Sequence, residues 1–206
     1  MINMLFESGL FAEEWRQALV LPTLKKCGLD IAYKNLRPVS NLPYVSKLSE
    51  RAAADQLIDH MTINGLHLEL QSAYKKHHSS ESALLKVKNV ILLNVDAQKV
   101  TLLVLLDLSA AFDTVRHDIL LDRLRPRLGV TNQALNWFTS YLSDRTQRFV
   151  VNGGLSDTFS LAQGVPQGSC LGPLLFTVYT SVNQRVDICQ ACTLTPMTRN
   201  CTWRSV

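Results

Sequence analysis

The spacing of apolar positions changes along the chain, and each change predicts an element. Ser79 to Val95 sets Ala83, Leu84, Val87, Val90 and Ile91 at helical intervals behind a Ser-x-x-Ser start, the pattern of an amphipathic helix. Val100 to Leu106 is an unbroken run of leucine and β-branched residues, as in a strand buried on both faces. After Asp107 the period becomes helical through Leu124. Asn132 to Leu142 predicts a further helix, and Asn152-Gly153-Gly154 between two extended runs predicts a hairpin. A loop crowded with Gly and Pro then opens an apolar helix near Gly172.

The first third is less regular. Phe11 to Pro22 mixes helical spacing with a β-branched end, which predicts a helix feeding a short strand, with a turn at Pro22 and the two lysines that follow. Pro38 and Pro43 hold Leu36 to Leu42 extended, and Ser46 or Ser49 can cap a helix to about His60. From about Val182 neither apolar period nor turn logic remains.

A chain of 206 residues with 47% hydrophobic content can bury a core, as one domain or two subdomains. Its formal charge of +4 suits a nucleic-acid partner without requiring one. No apolar run approaches a membrane span and no leader pattern opens the chain, so an intracellular protein, nuclear or cytoplasmic, is expected. Cys27, Cys170, Cys189, Cys192 and Cys201 do not form a disulfide framework, and Cys189 with Cys192 cannot complete a four-ligand zinc site locally.

An acid closing a buried strand is costly unless it binds a cation or caps a helix, and Asp107 stands there with Asp113 six residues on. One reading makes Asp107 a magnesium ligand on a palm-like sheet. The other makes it the N-cap of a helix starting near Leu108, with Asp113 an exposed helix residue.

The neighbourhood adds a resemblance. LLDLSAAFDTV resembles the first catalytic box of reverse transcriptases of non-LTR (LINE-type) retrotransposons, and GVPQGSCLGPLLF resembles the second polymerase box. WRQALVLPTLKK and NLRPVSNLPYVSKLSE are similar to the fingers boxes, QSAYKKHHSSESALL to the box that follows, and LNWFTSYLSDRTQRFVVNG to the linking helix and hairpin. These boxes run collinearly from about Leu10 to Ser181, and such an ordered set is far more specific than any single one. Arg116 departs from the usual aspartate after FDTV.

The resemblance implies RNA-templated DNA synthesis, with an RNA template, a DNA primer and deoxynucleoside triphosphates as partners. It implies that Asp107 holds Mg2+ and that Phe112 lies below the incoming sugar, where a large ring excludes a ribose 2′-OH. Lys25, Lys26 and Arg37 would meet the triphosphate, and Gln167 with Gly168 would line the nucleotide and primer. The helix start after that loop also suits phosphate. Lys75, Lys76 and His77, beside His78, would form a basic face toward template phosphates. Without the resemblance, Phe112 reads as core, the lysines and Arg37 as solvated surface, and the glycine loop as structural.

The implied fold is α+β: a partial right-hand polymerase with helical fingers over 1–99 and an incomplete palm sheet over 100–182. An open sheet edge and an uncovered core face are expected of it. The Tyr-Ala-Asp-Asp turn of this family is missing, and no Asp-Asp pair occurs in the chain. The tail suggests why. Taking the third base of each codon from Leu194 with the first two of the next gives shapes that can spell Tyr-Ala-Asp-Asp-Thr-Gln-Leu-Tyr, and Met197, with its single codon, forces the second aspartate. Residues 183–206 are therefore expected to be out of frame and without ordered structure.

Overall fold

The computed structural model describes residues 2–67, 71–75, 77–107, 111–151, 153–181 and 200–204; at 33, 105–107 and 200–204 it describes the backbone alone. In chain order the elements are α1 (Ile2–Ser8), β1 (Gln17–Leu24), β2 (Leu36–Asn41), α2 (Tyr44–Ile63), α3 (Ser80–Asp96) and β3 (Leu103–Asp107). There follow α4 (His117–Leu128), α5 (Asn132–Leu142), β4 (Arg145–Val151), β5 (Gly154–Leu155), β6 (Phe159–Leu161), α6 (Gly172–Thr180) and β7 (Asn200–Arg204). The mixture is α+β, as the pattern predicts. Packing divides the chain into one unit of Met1–Leu66 with Phe112–Tyr179 and a second of His67–Ala111 with Thr180–Val206, so the fingers and palm labels cut across these units.

In the first unit the sheet order is β2-β1-β4-β5, with β6 also paired to β4. β1 runs antiparallel to β2 and parallel to β4. Ala18 and Val20 are buried while Leu19 and Leu21 are exposed, the alternation of a strand with one covered face. The helix expected across Phe11 to Pro22 shrinks to a single 3-10 turn at Glu13–Trp15, because partner strands on both sides claim Gln17 onward. Pro22 does not end that strand. It lies opposite Pro38 in the β1–β2 register, and the outward hydrogen bond of Ser40 puts the Pro38 nitrogen on the free rim, where no ladder bond is lost.

The core gathers on α5. Trp137 and Tyr141 stack with centroids 5.6 Å apart, and Phe11 sets its edge against Trp15, Trp137 and Tyr141. Ser140 locks the chain entry, accepting from the Phe11 amide at 2.9 Å. Leu120, Leu124 and Leu128 of α4 are buried at helical spacing on the same unit's core, and Gly129 closes that helix in the left-handed conformation with Val130 N donating to Leu124 O.

Two helix starts differ from expectation. α2 begins directly after Pro43, and Ser46 and Ser49 are fully buried inside it rather than capping it. α4 begins at His117, not after Asp107, since Phe112 O and Val115 O accept from Val165 N and Gly164 N at 2.8 and 2.7 Å. Those carbonyls would otherwise serve the first helical turns. Arg116 is the N-cap of α4, so Asp107 does not cap it, and Asp113 sits in a turn.

In the second unit Ser79 and Ser82 form a capping box at the start of α3, as the Ser-x-x-Ser pattern predicts. Leu84, Leu85, Leu92, Leu93 and Val95 on α3 are exposed, and so are Leu103 and Val104 at 42% and 40%, which does not fit a strand buried on both faces. β3 pairs antiparallel with β7, Asp107 opposite Asn200, so a strand stands within the tail where the pattern predicts none. An open strand edge accepts main-chain bonds whatever side chains its partner carries. Residues 182–199 lie outside the described set. Among the described residues no helix is long and apolar enough to cross a membrane.

Leu124→Ala is expected to cost about 2–5 kcal/mol in chemical denaturation, since a fully buried leucine would leave a cavity. Ser79→Ala is expected to cost about 1 kcal/mol through loss of the capping box, read as reduced helicity and faster amide exchange in the first turn of α3.

Candidate active site

The loop from Gln163 to Leu171 has its main chain fixed at both ends. Gly164 (φ +90°) presses against the Phe112–Val115 turn, where a Cβ would lie 3.0 Å from Asp113 O. Its carbonyl also accepts from, or faces, the His117 ring at 2.8 Å. Gly168 (φ +119°) lies on the rim of β2, where a Cβ would fall 2.7 Å from Ser40 O. Beside it Ser40 N donates to Gln167 O at 2.7 Å. Neither contact tolerates a side chain, and the left-handed conformation favours glycine at both.

The far end of the loop is held by Glu50 of α2, a carboxylate with no exposed surface. Its Oε2 accepts from Cys170 N at 2.7 Å and Leu171 N at 3.4 Å, and Ser46 Oγ donates to Oε1 at 3.1 Å. Burial pushes the Glu50 carboxyl up, opposed by the Cys170 amide, the charge of Arg145, the Leu171 amide and the Ser46 hydroxyl. Arg145 is itself buried, donates Nη1 to Tyr141 O at 2.7 Å and stacks over the Tyr141 ring at 4.7 Å. Burial drives the Tyr141 phenol well up. Ser169 Oγ accepts from Gly172 N at 2.8 Å. The two amides just ahead of α6, whose start is expected to suit phosphate, are thus taken by the protein's own carboxylate, and the first amide of the helix by its own hydroxyl. This clamp was not foreseen, because a glutamate inside SKLSERAAADQL reads as an exposed helix position.

Six anticipated residues lie in the first unit. Lys25, Lys26 and Arg37 are exposed on the β1–β2 hairpin, and Lys25 Nζ donates to Lys34 O at 2.6 Å. Gln167 and Gly168 dock on β2, the strand that carries Arg37, and Gln167 Oε1 is buried with no partner among the described residues. The Phe112 ring packs on Phe176 of α6 at 5.1 Å. The others belong to the second unit: Asp107 ends β3, Lys75 is half-buried, and His77 is exposed in the left-handed conformation (φ 63°). The Asp107 side chain and Lys76 lie outside the described residues. Among the described residues no group of three or more His, Cys, Asp or Glu could hold a metal ion. A two-metal site needs carboxylates from two places, and Asp107 alone does not meet that requirement.

Residues 24–186 match the family model described as reverse transcriptase (RNA-dependent DNA polymerase), a family that is generally metal-dependent and acts on nucleic-acid templates and nucleotides. The chain is 32% identical over 184 residues to a Drosophila melanogaster protein described as the probable RNA-directed DNA polymerase from transposon BS, covering 87% of this chain and 20% of that one. It is 28% identical to the probable polymerase from transposon X-element (90% and 20%) and 28% identical to that from mobile element jockey (87% and 19%), both of the same fly. The chain spans about one fifth of the length of these relatives. With its glycine loop docked on both the Phe112 turn and the basic hairpin, this chain belongs to the reverse transcriptase family, as a domain fragment of the non-LTR, LINE-type retrotransposon kind.

Proposed function

We propose that this chain is the fingers and leading palm of an RNA-directed DNA polymerase that does not synthesise DNA by itself. The observation that supports this most is the double docking of the Gln163–Leu171 loop, which ties Phe112 and Gln167 to the strand bearing Arg37. In this reading Lys26 and Arg37 meet the triphosphate of a deoxynucleotide, joined by the two ammonium protons that Lys25 does not give to Lys34. Phe112, braced by Phe176, sits below the sugar, and Gln167 with Gly168 faces nucleotide and primer. Lys75, Lys76 and His77 run toward the RNA template.

Asp107 is the magnesium ligand of this reading. Magnesium, when bound, would supply charge neutralisation at the reacting oxygens, and such chemistry needs carboxylates from more than one place. One carboxylate is too few, and the chain has no Asp-Asp pair, so no catalytic step is assigned to it. A non-catalytic binder of RNA or primer-template is the second reading, favoured by the exposed cations of the β1–β2 hairpin. Residues 183–206 belong to this proposal as a segment translated out of frame, with the Tyr-Ala-Asp-Asp turn encoded one frame away.

Purified chain is expected to give no template-dependent primer extension with Mg2+, yet to bind RNA–DNA primer-template with an affinity that falls steeply between low and physiological salt. Template-dependent synthesis would refute the inactive reading, and no binding at low salt would refute both. The coding DNA is expected to read Tyr-Ala-Asp-Asp in the shifted frame from Leu194; codons that cannot supply those residues would remove the frameshift.

A further inference from the structure

Anions at helix starts are commonly ligands, because the first amides lack internal partners and the helix dipole favours negative charge. Where the chain enters α6, the amides are engaged from within. Cys170 N and Leu171 N point at Glu50 Oε2, and the Gly172 amide is given to Ser169 Oγ. A carboxylate is an odd occupant for a buried position with no direct ion pair among the described residues, since desolvation disfavours its charge. It is held by three donors, the two amides and the Ser46 hydroxyl, and by the nearby positive charge of Arg145. A hydroxyl or amide of the same reach would meet the hydrogen-bonding need at less cost. What the carboxylate adds is two acceptor oxygens, one turned back to its own helix at Ser46 and one forward to the loop.

That arrangement fixes α2 and the loop against each other at one point. Three residues before Cys170, the loop main chain is bonded to Ser40 N, and Gly168 leaves no space against Ser40 O. Gln167 itself makes the first of these anchors through its carbonyl, and its Oε1 is buried without a protein partner among the described residues.

We propose that Glu50 is a positioning residue: a resident anion that takes the place of ligand phosphate at the start of α6 and sets the Gln167–Gly168 main chain for the nucleotide and primer. The assignment of Gln167 and Gly168 rests on the proposed function, whereas the clamp itself does not.

Amide hydrogen exchange on the full chain tests it. Glu50→Ala is expected to speed exchange of the Cys170 and Leu171 amides by about tenfold or more, as loss of a charge-assisted acceptor implies. Glu50→Gln, which keeps an acceptor oxygen of the same reach, is expected to restore most of that protection. Leu124→Ala, which destabilises the same unit from α4, is expected to raise exchange broadly without singling out those two amides. Inorganic phosphate is expected to leave the wild-type amides unchanged. The proposal is overturned if Glu50→Ala raises exchange no more at the loop than Leu124→Ala does, if the glutamine rescues nothing, or if phosphate protects the wild-type amides and so shows the helix start to be open. Failure of primer-template binding with the clamp intact would strike the polymerase reading alone.

Discussion

A charged group taken fully out of water costs several kcal/mol unless its surroundings return the lost hydrogen bonds, and Glu50 is the place where this chain meets that demand. Its carboxylate joins three parts of the sequence that have no other reason to agree: the middle of α2, the turn into α6, and, through Arg145, the start of β4. Because the two oxygens face different elements, a shift of α2 by one residue would strand a buried charge. The register of a helix against a loop 120 residues away is thus held by electrostatics beside the apolar face of Ala53, Ala54, Leu57 and Met61. The other end of the loop obeys a different rule. There the glycines remove the side chains that would keep two backbones apart, and the carbonyls of the Phe112–Val115 turn accept the loop amides.

What the sequence made legible was whatever local rules decide. α5 runs over the residues its period marks, Asn132–Leu142, and α3 starts at the serine pair that caps it. The β4–β5 hairpin follows its glycine turn. The start of α4 was illegible because its would-be carbonyls are claimed by amides about fifty residues downstream, which no window along the chain contains. The strand at Gln17–Leu24 was half-legible: its β-branched end is visible, but its length is decided by β2 and β4. Of the site, the hairpin cations, Phe112, Gln167 and Gly168 emerge in one unit because ordered boxes encode a shared architecture. Glu50 and Ser40 escaped notice since one looks like a surface acid and the other contributes only its backbone.

The two units also differ in how well their sequences are satisfied. The first buries three leucines of α4 in step and packs Phe6 and Phe11 against the aromatic rings of α5. The second carries its leucines outward on α3 and on β3, with Ala83 the buried position of that helix. Apolar surface left in water contributes nothing to stability, so among the described residues cohesion is concentrated in the first unit.

The facing prolines of the first sheet reach further than their own strands. A sheet rim is ordinarily a template that another polypeptide can copy, one amide at a time. Along β2, one amide is engaged by Gln167 and the position two residues earlier, Pro38, has no hydrogen to offer. An incoming strand would find no free amide hydrogen at two neighbouring outward positions, so strand addition is disfavoured on the side where the glycine loop docks, and a backbone bond that serves the loop also guards the protein against its own copies.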